Sequence, residues 1–156
     1  MTVGAIILAA GSARRMGEDK LLADLGGKPM IRYVVDAVAA AGLPMPLVAV
    51  PPGREGLVAA LDGYARPIVV ADHAEGMGRS LAAAVGAIPT DWRAVIICLG
   101  DMPFVGPALL AELASRGEEG SIVTPMFEGR RGNPVAWGCD YFADLAKLAG
   151  DRGGRD

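Results

Sequence analysis

Four segments of the chain carry residues whose types and spacing could do chemistry. The first is Leu8-Ala9-Ala10-Gly11-Ser12-Ala13-Arg14-Arg15-Met16-Gly17-Glu18-Asp19-Lys20. Gly11 and Gly17 would let backbone N–H groups approach a phosphate closely, and Arg14, Arg15 and Lys20 could neutralise its oxygens. The loop is not a Walker A sequence, because G-x-x-x-x-G-K-[ST] is missing. It is not a dinucleotide fingerprint either, because a single glycine opens the turn. On local chemistry alone it also reads as a surface loop with solvated cations.

The second segment is Leu99-Gly100-Asp101-Met102-Pro103. A carboxylate there suits a hard cation such as Mg2+, which takes oxygen ligands and keeps several waters. Asp101 could instead cap a helix. The next helical pattern starts only near Pro107, however, and that favours the metal role. The third segment, Asp72-His73-Ala74-Glu75-Gly76-Met77-Gly78-Arg79-Ser80-Leu81, opens a helix. Its small residues suit a base, ribose or phosphate contact, and Gly78 or Ser80 would serve equally as a helix cap. Asp72 is a weaker candidate for a ribose. His73 is the only histidine and reads as a solvent-facing loop residue, so no Ser-His-Asp set assembles. The fourth, Arg130-Arg131-Gly132-Asn133-Pro134-Val135, joins cations and an amide ahead of a short strand. It also reads as a hairpin-like turn with solvated arginines.

These segments need a frame. Apolar, β-branched runs at Val3–Leu8, Leu47–Val50, Pro67–Val70, Ala94–Leu99 and Ser121–Thr124 are continuous rather than alternating, as expected of strands buried on both faces. Helical patterns fall between and after them, at Met30–Ala41, Arg54–Leu61, Arg79–Ala87, Pro107–Arg116 and Tyr141–Ala149. Gly42 stops the first of these, and Pro107 suits the first turn of another. Repeated strand–helix–strand units predict an α/β fold with a mainly parallel sheet, right-handed crossovers and helices on both faces. Ligands bind such sheets outside the carboxyl ends of the strands. All four segments follow strands and are expected on that one edge.

Composition narrows the function. With 156 residues and no repeat or linker, a single domain spanning the whole chain, 1–156, is expected. A net charge of −3 and only 5% aromatic residues argue against a nucleic-acid partner. The N-terminus lacks the pattern of a signal peptide, and no apolar run is long enough for a bilayer, so no membrane partner and a cytoplasmic location are expected. Cys98 and Cys139 stand far apart and read as reduced thiols, Cys98 as a buried structural one.

Leu8-Ala9-Ala10-Gly11, followed by Arg15-Met16-Gly17 and Lys20-Leu21-Leu22, resembles the signature loop of the nucleotidyltransferases that include the molybdenum-cofactor cytidylyl- and guanylyltransferases. Leu-Gly-Asp-Met-Pro resembles that family's metal-binding turn. Gly-Met-Gly-x-Ser-Leu is closer to the cytidylyl members. Ser12 stands one position before the family's small polar residue and Ala13 takes that place. The resemblance therefore implies the backbone cradle and the cations rather than a hydroxyl contact. Gly150-Asp151-Arg152-Gly153-Gly154-Arg155 is similar to a Gly-Asp-x-Gly-Ala-Arg string, and the family's C-terminal strand would follow.

The resemblance implies a three-layer Rossmann-like nucleotidyltransferase fold and Mg2+-dependent transfer of CMP from CTP to the phosphate of molybdopterin, with a molybdoenzyme as a further partner. It implies Arg15, Lys20 and Asp101 as catalytic residues, Asp101 holding the metal. Leu8, Ala9, Ala10, Gly11, Lys20, Asp72, Gly78, Ser80, Arg131 and Asn133 would line the nucleotide and acceptor. Rival readings keep the fold with a sugar phosphate or methylerythritol phosphate as acceptor, or make the chain a non-catalytic nucleotide-binding module for molybdoenzyme maturation. A nicotinamide oxidoreductase fits worst, because the first turn lacks its glycine pattern.

Overall fold

A computed structural model of the chain describes residues 2–9, 20–71 and 77–148. Its elements run β1 (Thr2–Leu8), α1 (Met30–Ala40), β2 (Leu47–Val50), α2 (Glu55–Leu61), β3 (Arg66–Val69), α3 (Met77–Val85), β4 (Trp92–Leu99) and α4 (Pro107–Arg116). Then follow β5 (Ile122–Val123), β6 (Met126–Phe127), β7 (Arg130–Arg131), β8 (Val135–Gly138) and α5 (Phe142–Leu145). Lys20–Leu22 and Cys139–Tyr141 form 3-10 turns.

The main sheet has the order β3-β2-β1-β4-β8-β5. Its first four strands pair in parallel, and β8 lies antiparallel between β4 and β5. Both faces of β1 are buried. Val3, Ala5 and Ile7 join a core with Val34 of α1, Leu57 of α2 and Leu110 of α4. Ile6 and Leu8 join a second core with Leu81 of α3 and Leu145 of α5. This two-sided burial is why the strand reads as an unbroken apolar run.

The first three helices divide between the faces for a topological reason, whereas α4 packs on the face of α1 and α2. From β1 the chain steps outward to β2 and β3, then returns past β1 to β4 through α3. With crossovers of one hand, a reversed direction of travel puts the helix on the opposite face. The connections that leave β1 and β4 lead to α1 and α4 on the same face, so the polar turns after the two paired strands stand side by side and frame a candidate crevice at the carboxyl edge of the sheet.

Several elements differ from the sequence expectation: β4 begins at Trp92, two residues before Ala94, and β3 is a sheet-edge strand with Val69 exposed rather than one buried on both faces. The helix after β3 begins at Met77, two residues earlier than Arg79. The expected helix from Tyr141 is a 3-10 turn followed by the short α5. Finally, β6 and β7 form a small separate hairpin, with φ of 52° at Glu128 and 80° at Gly129. Two consecutive left-handed residues make the primed turn that matches the twist of paired strands.

Candidate active site

The crevice is built where β1 and β4 end together. Leu8 pairs with Leu99 across the two strands. One residue further, the Gly100 amide donates to the Leu8 carbonyl at 3.0 Å. The Ala9 amide donates to Ala49 at 2.9 Å on the other side. These bonds anchor Leu8 and Ala9, where the first segment leaves the sheet. They also engage the Ala9 N–H, so a phosphate cradle has to be drawn from residues after it.

Asp101 follows directly and is exposed, in a turn closed by the Met102 amide on the Leu99 carbonyl at 3.2 Å. It does not cap α4, whose N-cap residue is Gly106. Lys20 is exposed at the start of its 3-10 turn, while its neighbour Leu21 is buried beneath. The structure thus brings the Lys20 turn and the Asp101 turn to one edge, both side chains in solvent.

On the other face of the sheet, Gly78 and Ser80 lie within the first four residues of α3. The Ser80 hydroxyl is buried, with no hydrogen-bond partner among the described residues. It is therefore not a helix cap. Buried hydroxyls are ordinarily bonded, and a polar atom of a bound ligand would satisfy this one.

Asn133 is exposed two residues before β8, whose Val135 pairs with Ile97 of β4. Because β8 runs antiparallel to β4, its beginning lies at the end of β4, which brings Asn133 to the crevice. Arg131 is exposed on β7, opposite Met126. Of the residues singled out in the sequence, Ala10, Gly11, Ser12, Ala13, Arg14, Arg15, Gly17, Asp72, His73 and the string at 150–155 lie outside the described residues.

Three features of this edge escaped the sequence reading. Phe104 is 85% exposed in the loop after β4, and Phe127 is 76% exposed on the hairpin after β5. The chain holds only three phenylalanines, and that two of them face water shows only in the fold. The third is the close packing around Gly100, which no linear pattern announces.

Among the described residues, no group of three or more His, Cys, Asp or Glu side chains gathers to hold a metal. A lone carboxylate still fits Mg2+, which is commonly bound by one or two carboxylates plus substrate phosphates. Thiol chemistry is not offered here: burial pushes the Cys98 thiol up to about 12, and its side chain is part of the core. No helix among the described residues is long and apolar enough to cross a membrane.

A mixed, mainly parallel six-stranded sheet with helices on both faces and polar turns at the carboxyl ends of β1 and β4 defines a Rossmann-like α/β domain of the nucleotidyltransferase fold. The chain belongs to the MobA-like NTP transferase domain family, whose model matches residues 5–156. It is 35% identical over 140 residues to the bifunctional protein GlmU of Parvibaculum lavamentivorans, covering 86% of this chain and 30% of that protein. The chain thus spans about a third or less of the length of the curated relatives it matches. Among solved structures it is similar to Rv0371c of Mycobacterium tuberculosis, with a TM-score of 0.89 and 25% identity, over 98% of this chain and 79% of that one. The manganese complex of Rv0371c superposes with a TM-score of 0.83 at 22% identity, over the same shares of the two chains.

Proposed function

We propose that this chain is a nucleotidyltransferase that moves CMP from CTP to the terminal phosphate of molybdopterin and releases pyrophosphate. The observation that carries this reading is the Gly100–Leu8 hydrogen bond, which sets the Asp101 turn beside the root of the glycine- and cation-bearing loop. An oxygen of the acceptor phosphate would attack the α-phosphorus of CTP. The bond from that phosphorus to the bridging oxygen would break, and the electron pair would leave with pyrophosphate. No covalent enzyme intermediate is needed. The chain has to align two anions and balance charge on the bridging and leaving oxygens.

In this reading Lys20, together with Arg15, neutralises the leaving oxygens, and Gly11 and its neighbours donate N–H groups. Asp101 holds Mg2+ against the triphosphate. When bound, the cation supplies charge stabilisation and orientation of the phosphates. Ser80, on α3, meets the nucleoside through its unpartnered hydroxyl. Asn133 and Arg131 attend the acceptor. Exposed Phe127 and Met126, paired across the hairpin with Arg130 and Arg131, support an acceptor that is both flat and phosphorylated.

The test is thermal stabilisation by CTP, GTP, UTP and ATP, each with and without Mg2+, followed by pyrophosphate release against a panel of phosphorylated acceptors. A ligand that binds only the folded state raises the melting temperature by mass action. CTP with Mg2+ should give the largest rise, and molybdopterin the fastest release. A preference for GTP would overturn the cytidylyl assignment. Curated relatives of the chain are named GlmU, which favours a second reading: the same chemistry with a sugar phosphate and CTP or UTP. The acceptor panel separates the two. Binding of CTP without turnover on any acceptor would instead mark a nucleotide-binding module.

A further inference from the structure

We infer that Gly100 is a positioning residue whose missing side chain fixes the separation of Lys20 and Asp101. Gly100 is buried, and its φ is not in the left-handed region, so the backbone conformation alone does not call for glycine. The requirement is space. A Cβ at position 100 would stand 2.9 Å from Ile31 Cδ1, 3.2 Å from the Leu8 carbonyl oxygen and 3.5 Å from Leu21 Cδ1.

Those three atoms belong to three different pieces of the crevice. Leu8 ends β1 and roots the first loop. Leu21 directly follows Lys20. Ile31 is the second residue of α1. Ile31 is fully buried and Leu21 nearly so, so neither side chain has solvent to swing into. Well-packed interiors transmit such strain instead of absorbing it. A methyl group at 100 therefore has to push Ile31 Cδ1 aside and crowd the Leu8 carbonyl, and what these do not absorb falls on the backbone that carries Asp101 and on the Lys20 turn. Leu21, which that Cβ would meet at ordinary van der Waals distance, links position 100 to the turn that carries Lys20.

This inference rests on the reading that Lys20 and Asp101 serve the triphosphate and its cation. The experiment uses the full chain as Gly100→Ala, as Gly100→Ala with Ile31→Val, as Leu21→Ala, and as Val38→Ala, a core control near the far end of α1. Nucleotide affinity with and without Mg2+, turnover and melting temperature are read for each. Gly100→Ala should raise the KM for CTP with Mg2+ and lower kcat by about tenfold or more, since a displacement near 1 Å can cost on the order of a hundredfold. Ile31→Val deletes the methyl group that the new Cβ meets first, and should restore much of both.

Val38→Ala should lower the melting temperature and leave KM and Mg2+ dependence alone. Wild-type kinetics in Gly100→Ala would overturn the inference, as would a loss that follows melting temperature across all variants. If Gly100→Ala does not fold, Leu21→Ala decides, because a truncation cannot overpack: an unchanged KM there sinks the inference. Asp101→Ala, run alongside, separates the two levels. If it turns over normally, the site assignment falls and the positioning role with it. If it is inactive while Gly100→Ala is normal, only the positioning role falls.

Discussion

Lys28 and Asp36 meet at 2.6 Å, tying the loop ahead of α1 to the second turn of that helix. Arg32 reaches the other carboxylate oxygen at 3.2 Å, and its guanidinium lies 3.5 Å from the centre of the Tyr64 ring. The Tyr33 hydroxyl donates to the Leu25 carbonyl. Together these contacts brace the segment that leads from the Lys20 turn into α1.

Partial burial pushes the Asp36 carboxyl up, but the hydrogen bonds and charges of Lys28 and Arg32 outweigh it and hold the group below its ordinary value of 3.8. A carboxyl depressed in the folded state stabilises the fold above its unfolded pKa, and that contribution is lost as pH falls through the folded value. We predict that Asp36→Asn lowers stability at neutral pH by less than about 1 kcal/mol, because the pair is partly solvent-screened. Urea melts from neutral pH to below 3.8 should show the gap between variant and wild type closing. A gap constant across that range would contradict the assignment.

Lys20→Ala and Asp101→Ala should each cost on the order of 10²–10³ in turnover, the usual effect of deleting one preorganised electrostatic contact. Both side chains are exposed, so melting temperatures should stay near the wild-type value. Steady-state pyrophosphate release checks this. Near-normal turnover in either variant removes that residue from the mechanism.

Ser80→Ala is expected to leave stability unchanged or slightly higher, since it deletes a buried hydroxyl that has no partner among the described residues. Nucleotide affinity should fall about three- to tenfold, the worth of one net hydrogen bond. Calorimetric titration with CTP is the direct measurement. Equal affinity in variant and wild type would exclude Ser80 from the nucleotide site.

Gly4→Ala is predicted to cost about 1–3 kcal/mol, as overpacking does. A Cβ there would fall 2.3 Å from the ring of Trp92, which is buried against β1. Trp92→Leu should recover part of the loss when combined with it. A thermal melt of the single variant at the wild-type midpoint would refute the packing argument.

What the amino-acid order determined by itself was local. The apolar runs of β1, β2 and β4, the periodicity of α1 and α4, and the Pro107 start are legible because a side chain's face follows from its position in a repeat of two or 3.6 residues. The polar strings after β1 and β4 could likewise be assigned to strand ends. Strand order, the insertion of antiparallel β8 between β4 and β5, and the hairpin at 126–131 were settled only in three dimensions. So were the burial of Ser80, the exposure of Phe104 and Phe127, and the convergence of Leu8, Leu21 and Ile31 on Gly100. Each of these depends on contacts between residues far apart in the chain. A glycine kept free for space looks the same in sequence as one kept for a turn, and only packing tells them apart.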